Sequence, residues 1–218
     1  MTETTPIAVS TAEEDSTREA ASLSARNRLV IMLLLVSTFV VILNETIMGV
    51  AIPHLMRDLR ISASAAQWLT TAVMLTMAVV IPITGFLLQR FHTRPIFITA
   101  MTLFSIGTLL AALAPDFEVL LAARVVQACG TAIMIPLLFT TVMTLVPEQS
   151  RGRTMGNISI VISVAPAIGP TISGFILDQL DWRWMFILVL PIAVAALILG
   201  AIRVPNVTEP RVTPIAVL

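Results

Sequence analysis

Two residues stand where charge is expensive. The chain carries 13 arginines, no lysine, and 13 acids, yet only Glu45 and Arg124 fall deep inside apolar runs. A charge inside a membrane is costly and marks a functional site by default. Glu45 lies 16 residues into its run, about 24 Å from one membrane face at the helical rise. Arg124 lies five residues into its own run from the opposite face, about 7 Å down. Against a hydrocarbon core about 30 Å thick, both fall in the same outer third. At one level they can line a cavity in which Glu45 takes a proton or a cationic substrate and Arg124 tunes it. They can equally form a static ion pair locking two helices, or each can snorkel to the nearer interface.

Two further stretches carry weaker signals. The run Gly85-Phe-Leu-Leu-Gln89-Arg90-Phe-His92-Thr-Arg94-Pro95 is a tight link between apolar runs. Gly85 there is expected to allow close helix approach, and Arg90 and Arg94 to anchor one membrane face. The run Ala165-Pro166-Ala167-Ile168-Gly169-Pro170-Thr171-Ile172-Ser173-Gly174 combines prolines, which remove backbone hydrogen bonds, with small residues that permit close packing. It reads as a packing kink or as a hinge.

Other chemistries lack their residues. One cysteine, Cys129, excludes an internal disulfide and a cysteine zinc cluster. His54 and His92 have no ligand spacing, and Gly107 is isolated rather than part of a dinucleotide fingerprint. No nucleophile–base pair or phosphate loop appears, so no cofactor and no enzyme are expected. Net charge is zero, which gives no basic field for nucleic acid.

The elements that hold these residues are written in the hydropathy. Hydrophobic residues make up 57% and charged ones 12%, against about 25% charged in soluble domains. The excess apolar surface has to face lipid. A spanning helix needs about 20 apolar residues, and six stretches qualify, roughly 29–52, 68–88, 96–113, 119–142, 158–177 and 182–202. They are apolar nearly all round, as bundle helices in lipid are, and lack the strict alternation of barrel strands. Pro53 is expected to close the first, and Ser64 with Gln67 to cap the second. Trp68, Trp182 and Trp184 sit at expected interfaces. Residues 1–26 read as a disordered cytoplasmic tail, 27–203 as the bundle, and 204–218 as a cytoplasmic linker cut short before a further span. With both termini inside, nine arginines lie within and three outside, as the positive-inside rule prefers.

In this order the motifs resemble the N-terminal half of a major facilitator superfamily transporter. The link at Gly85–Pro95 is similar to that family's signature loop, Arg124-Val-Val-Gln127-Ala-Cys-Gly130 to its helix 4 motif, and Gly169-Pro170 with Gly174 to its helix 5 antiporter motif. Leu43-Asn44-Glu45-Thr46-Ile-Met-Gly-Val-Ala51-Ile-Pro53 and Trp182-Arg-Trp-Met-Phe186 with Pro191 resemble the fourteen-span drug:proton antiporters, the EmrB/QacA group, and lincomycin-resistance-type exporters within it. The resemblance implies an all-α bundle of six spans built as a 3+3 inverted repeat. It implies efflux of amphipathic compounds across a bacterial cytoplasmic membrane, with the proton as coupling ion. It adds Asn44 and Gln127 to Glu45 and Arg124 as site residues, Gly85, Arg90 and Arg94 as a gating loop, and Pro166, Gly169, Pro170 and Gly174 as the antiporter motif. Gln89 and His92 depart from the Asp and Gly usual in the loop, Ala128 and Ser173 from glycines. The substrate pathway of such a transporter lies between two halves, so a missing C-terminal half or a second copy is expected as partner. A remnant acting as an assembly or regulatory partner is the alternative.

Overall fold

The computed structural model describes residues 7–204 and 206, with side chains from Ala25 onward. It is built of six helices: α1 (Ile7–Asp58), α2 (Ala63–Arg90), α3 (Thr93–Ala112), α4 (Phe117–Leu145), α5 (Glu148–Gln179) and α6 (Arg183–Arg203). Each is long and apolar enough to cross a membrane, and the described residues contain no strand. In lipid the helix is the economical answer, because it satisfies every backbone N–H and C=O within itself.

The sequence-based boundaries shift in three places. Pro53 does not close the first span, since α1 runs through it to Asp58. A proline breaks only its own hydrogen bond, and Leu55, fully buried beyond it, holds the helix on course. The helix ends at Asp58, and the turn beyond it is closed by Arg60, whose φ of 52° lies in the left-handed region, with the Ile61 N–H donating to the Met56 carbonyl at 3.2 Å. Helix α2 is capped by Ser62, not Ser64: the Ser62 hydroxyl accepts from the Ala65 N–H at 3.2 Å, and Ser64 bonds to Ser62. At the N-terminus α1 is already helical from Ile7, where a disordered tail is expected. The alanines and glutamates there are good helix formers joined to a helix already nucleated in the bundle. Residues 1–6 of that tail, and almost all of the 204–218 linker, lie outside the described residues.

The packing has internal symmetry. Helix α1 packs on α4, α5 and α6, and α4 packs on α1, α2 and α3, while α3 packs on α6. Exchanging α1, α2 and α3 for α4, α5 and α6 turns each of these pairings into another. Three is an odd number of spans, so the second triplet runs inverted relative to the first. Helices α2 and α5 pack mainly on one partner each and leave most of their surface exposed.

Two apolar clusters fill the interior. One gathers Val30, Leu34, Val41, Phe97, Phe104, Met134, Leu138 and Ala193. The other gathers Ile47, Leu55, Leu69, Ala111, Leu120, Ile176, Trp182 and Phe186. Along α1, α3 and α4 the segment between the two clusters is polar: Asn44 and Glu45, then Ser105 and Thr108, then Arg124, Gln127 and Thr131. Of these seven, all but Glu45 are buried.

Candidate proton and substrate site

Glu45 and Arg124 meet in that polar layer. The Arg124 Nη2 donates to Glu45 Oε1 at 2.5 Å, joining α1 to α4. The pair is lopsided in exposure: the arginine side chain is 2% exposed and the glutamate 28%. Snorkelling is thereby excluded for Arg124, whose guanidinium turns inward to protein partners. Its Nη1 donates to Gln127 Oε1 at 2.5 Å, one helical turn along α4. The Gln127 Nε2 donates to Thr108 Oγ1 on α3 at 2.7 Å, and the Thr108 hydroxyl donates to the Phe104 carbonyl at 2.7 Å. The result is one hydrogen-bonded line from a partly exposed carboxylate to a sealed interior. Thr131, one turn further along α4, donates to the Gln127 main-chain carbonyl at 3.1 Å, outside this line of side chains. Asn44 Nδ2 and Arg124 Nε are buried with no partner among the described residues.

Small residues bring the helices close enough for these bonds. A Cβ on Gly107 would sit 2.6 Å from the Gln127 backbone nitrogen, and one on Gly130 would collide with the Ala100 carbonyl. Such backbone contact is what glycine permits at helix crossings in membranes. Helix α5 uses the same device on α1: a Cβ on Gly169 would lie 2.7 Å from Thr46 Cγ2, and Ser173 donates to the Ile47 carbonyl at 3.1 Å. The residues following Glu45 are thus clamped directly by α5.

The remaining expected site residues lie apart from this layer. Pro166, Pro170 and Gly174 are on the exposed side of α5, which continues as one helix through both prolines. Nothing stands within 4 Å of a Cβ on Gly174. Gly85 shows the same open space, so its expected close helix approach is not present in this bundle. The reason is that α2 turns that side away from its neighbours. Arg90 and Arg94 flank the two-residue link of α2 to α3 and are exposed, with Arg90 lying 4.9 Å over the Phe86 ring.

A second polar cluster ties the end of the bundle that carries the α1–α2, α3–α4 and α5–α6 loops. Trp182 Nε1–H donates to Asp58 at 2.7 Å, and Arg183 donates to the Ala114 carbonyl at 2.9 Å. Arg183 also stacks 4.3 Å over the Trp182 ring and pairs with Asp58 and Asp181. Trp182 is therefore a buried clasp rather than an interface anchor, whereas Trp68 and Trp184 are exposed. Sequence reasoning missed both this clasp and Thr108. Nothing in the order of residues sets Thr108 apart from Thr99, Thr102 or Ser105 on the same helix.

The model of the Major Facilitator Superfamily matches residues 34–217. The chain belongs to the major facilitator superfamily. It is 50% identical over 193 residues to the MFS-type transporter YcnB of Bacillus subtilis, covering 88% of this chain and 41% of that protein. It is 42% identical over 185 residues to the lincomycin resistance protein LmrB of Bacillus subtilis, covering 85% of this chain and 39% of that one. Among solved structures, a bacterial homologue of the human lysosomal transporter Spinster, inward-facing and occupied, superposes with a TM-score of 0.71 at 19% identity. That match covers 84% of this chain and 45% of the other, and shows the shared fold. The chain spans about two-fifths of the length of the curated relatives it matches. Members of the superfamily are transporters, and this multi-pass membrane protein is not an enzyme.

Proposed function

We propose that this bundle is the N-terminal half of a proton-coupled antiporter that expels amphipathic compounds across a bacterial cytoplasmic membrane. Both termini face the cytoplasm in this reading, because that places nine arginines inside and three outside. One observation carries the proposal. The bundle buries a complete arginine against a glutamate that keeps about a quarter of its side chain open.

The asymmetry bears on what the site can bind. Arg124 is enclosed and directed at Glu45 and Gln127. The charge left facing the open side is the Glu45 carboxylate, which suits a proton or a cation rather than an anion. A proton on Glu45 and a cationic substrate beside it are alternative ways to satisfy that carboxylate. Competition of this kind is enough to exchange one for the other. Removing one partner of a buried ion pair leaves an uncompensated charge costing about 3–5 kcal/mol, so the pair also fastens α1 to α4 while the site is empty.

The lincomycin resistance of the relative LmrB points to drug-like substrates. The second half of such a transporter supplies the other wall of the pathway and comes from a C-terminal bundle or a second copy. The test is resistance in an efflux-deficient bacterium expressing the transporter completed by its second half. Glu45→Gln is expected to abolish resistance when compared at equal membrane abundance, its amide oxygen still accepting from Arg124 but carrying no proton to exchange. Full resistance with Glu45→Gln overturns the proposal.

A further inference from the structure

We infer that Thr108 on α3 is a positioning residue for the coupling site, acting through Gln127 on Arg124. This rests on the reading of Glu45 as the proton site. Gln127 is completely buried, so both ends of its amide must find partners or cost free energy. An amide can present either its oxygen or its NH2 group in nearly the same shape. Only the oxygen is useful here, because a guanidinium donates and never accepts.

Thr108 decides which end faces Arg124. Its hydroxyl has one proton, and that proton goes to the Phe104 carbonyl at 2.7 Å. The lone pairs are what remain to face Gln127, and they accept from Nε2 at 2.7 Å. The amide oxygen is thereby turned to Arg124 Nη1. The threonine has 0% exposure, so water does not substitute for it. Gly107 beside it lets α3 touch the Gln127 backbone, which puts the hydroxyl within reach. When Glu45 takes up a proton, Arg124 loses its anion but keeps the Gln127 oxygen. The guanidinium therefore stays in place to receive the carboxylate again, and the exchange is reversible.

The experiment reads Glu45 directly. Dicyclohexylcarbodiimide reacts with protonated carboxyls in apolar surroundings and spares carboxylates held by a cation. The purified chain in lipid nanodiscs is labelled across a pH series, and the rate at Glu45 is followed by peptide mass spectrometry. Glu45→Gln sets the zero, and Arg124→Gln sets the rate of the released carboxyl. Thr108→Val keeps the shape and removes the hydroxyl. It is expected to raise labelling about fivefold, the factor that one ordinary hydrogen bond is worth. Gln127→Leu is expected to do the same, and reports independently should Thr108→Val not fold. Thr108→Ser restores the wild-type rate. Thr131→Val removes a hydroxyl that is also buried and that, among the described residues, bonds to the Gln127 backbone alone, and leaves the rate unchanged. A general loosening of the bundle would raise both threonine variants alike and overturns the inference. So does wild-type labelling in Thr108→Val and Gln127→Leu while Arg124→Gln is fast. If Arg124→Gln also labels at the wild-type rate, or Glu45 is unlabelled at every pH, the proton-site reading itself falls.

Discussion

Gly107→Ala is the sharpest structural perturbation, because one methyl group meets backbone rather than a side chain that can turn away. The added Cβ would stand 2.6 Å from the Gln127 nitrogen and 2.7 Å from its Cα and Cβ. Ordinary contact begins at 3.4 Å, so α3 and α4 must part by about 0.8 Å. Overpacking of this kind costs about 1–3 kcal/mol. It is offset by at most about 1 kcal/mol of gained helix propensity. The net expectation is a loss of about 1–2 kcal/mol, measured by titrating the purified chain with sodium dodecyl sulfate and following helicity. Gly85→Ala is the matched control. It has nothing within 4 Å and keeps only the propensity gain, so its stability is unchanged or slightly higher. The two substitutions are chemically identical, and a loss at Gly107 without one at Gly85 isolates the helix crossing. Equal stability of the two variants would refute the close α3–α4 contact, and with it the placement of Gln127.

Two other expectations follow from the same structure. Trp182→Phe removes the N–H that Asp58 accepts at 2.7 Å and should cost about 2 kcal/mol in the same titration, the range for hydrogen bonds to charged groups. Trp184→Phe, at an exposed ring, should cost nothing measurable; equal losses would refute the clasp. For orientation, Ser62→Cys and Gln89→Cys in a Cys129→Ala background place single thiols on exposed ends of α2. A membrane-impermeant maleimide added to intact cells should label position 62 and spare position 89, and the reverse pattern would place the termini outside.

The spans were legible in the sequence because lipid imposes a length and an apolarity that few other folds require. Boundaries were less so. Pro53 reads as a stop in any single-chain rule, yet the packing of Leu55 carries α1 past it. The depths of Glu45 and Arg124 followed from the helical rise alone, and the two do touch. What counting along a helix does not supply is rotation about its axis. That is why Gly85, at the right level for close packing, faces open space, and why Thr108 was indistinguishable from its neighbouring hydroxyls. It is also why Trp182 reads as an interface residue although its N–H reaches α1. Contacts between helices distant in sequence depend on both rotation and tilt, and a residue's own neighbours along the chain encode neither.

The central claim is that the Glu45 carboxylate, held by Arg124, couples proton movement to substrate movement. Proteoliposomes containing the transporter completed by its second half separate coupling from passage. In one set, a pH gradient drives accumulation of a cationic amphipathic substrate; in the other, substrate exchanges with substrate at equal pH. Glu45→Gln should lose the gradient-driven accumulation and keep the exchange. Gradient-driven accumulation at the wild-type level in Glu45→Gln would contradict the claim.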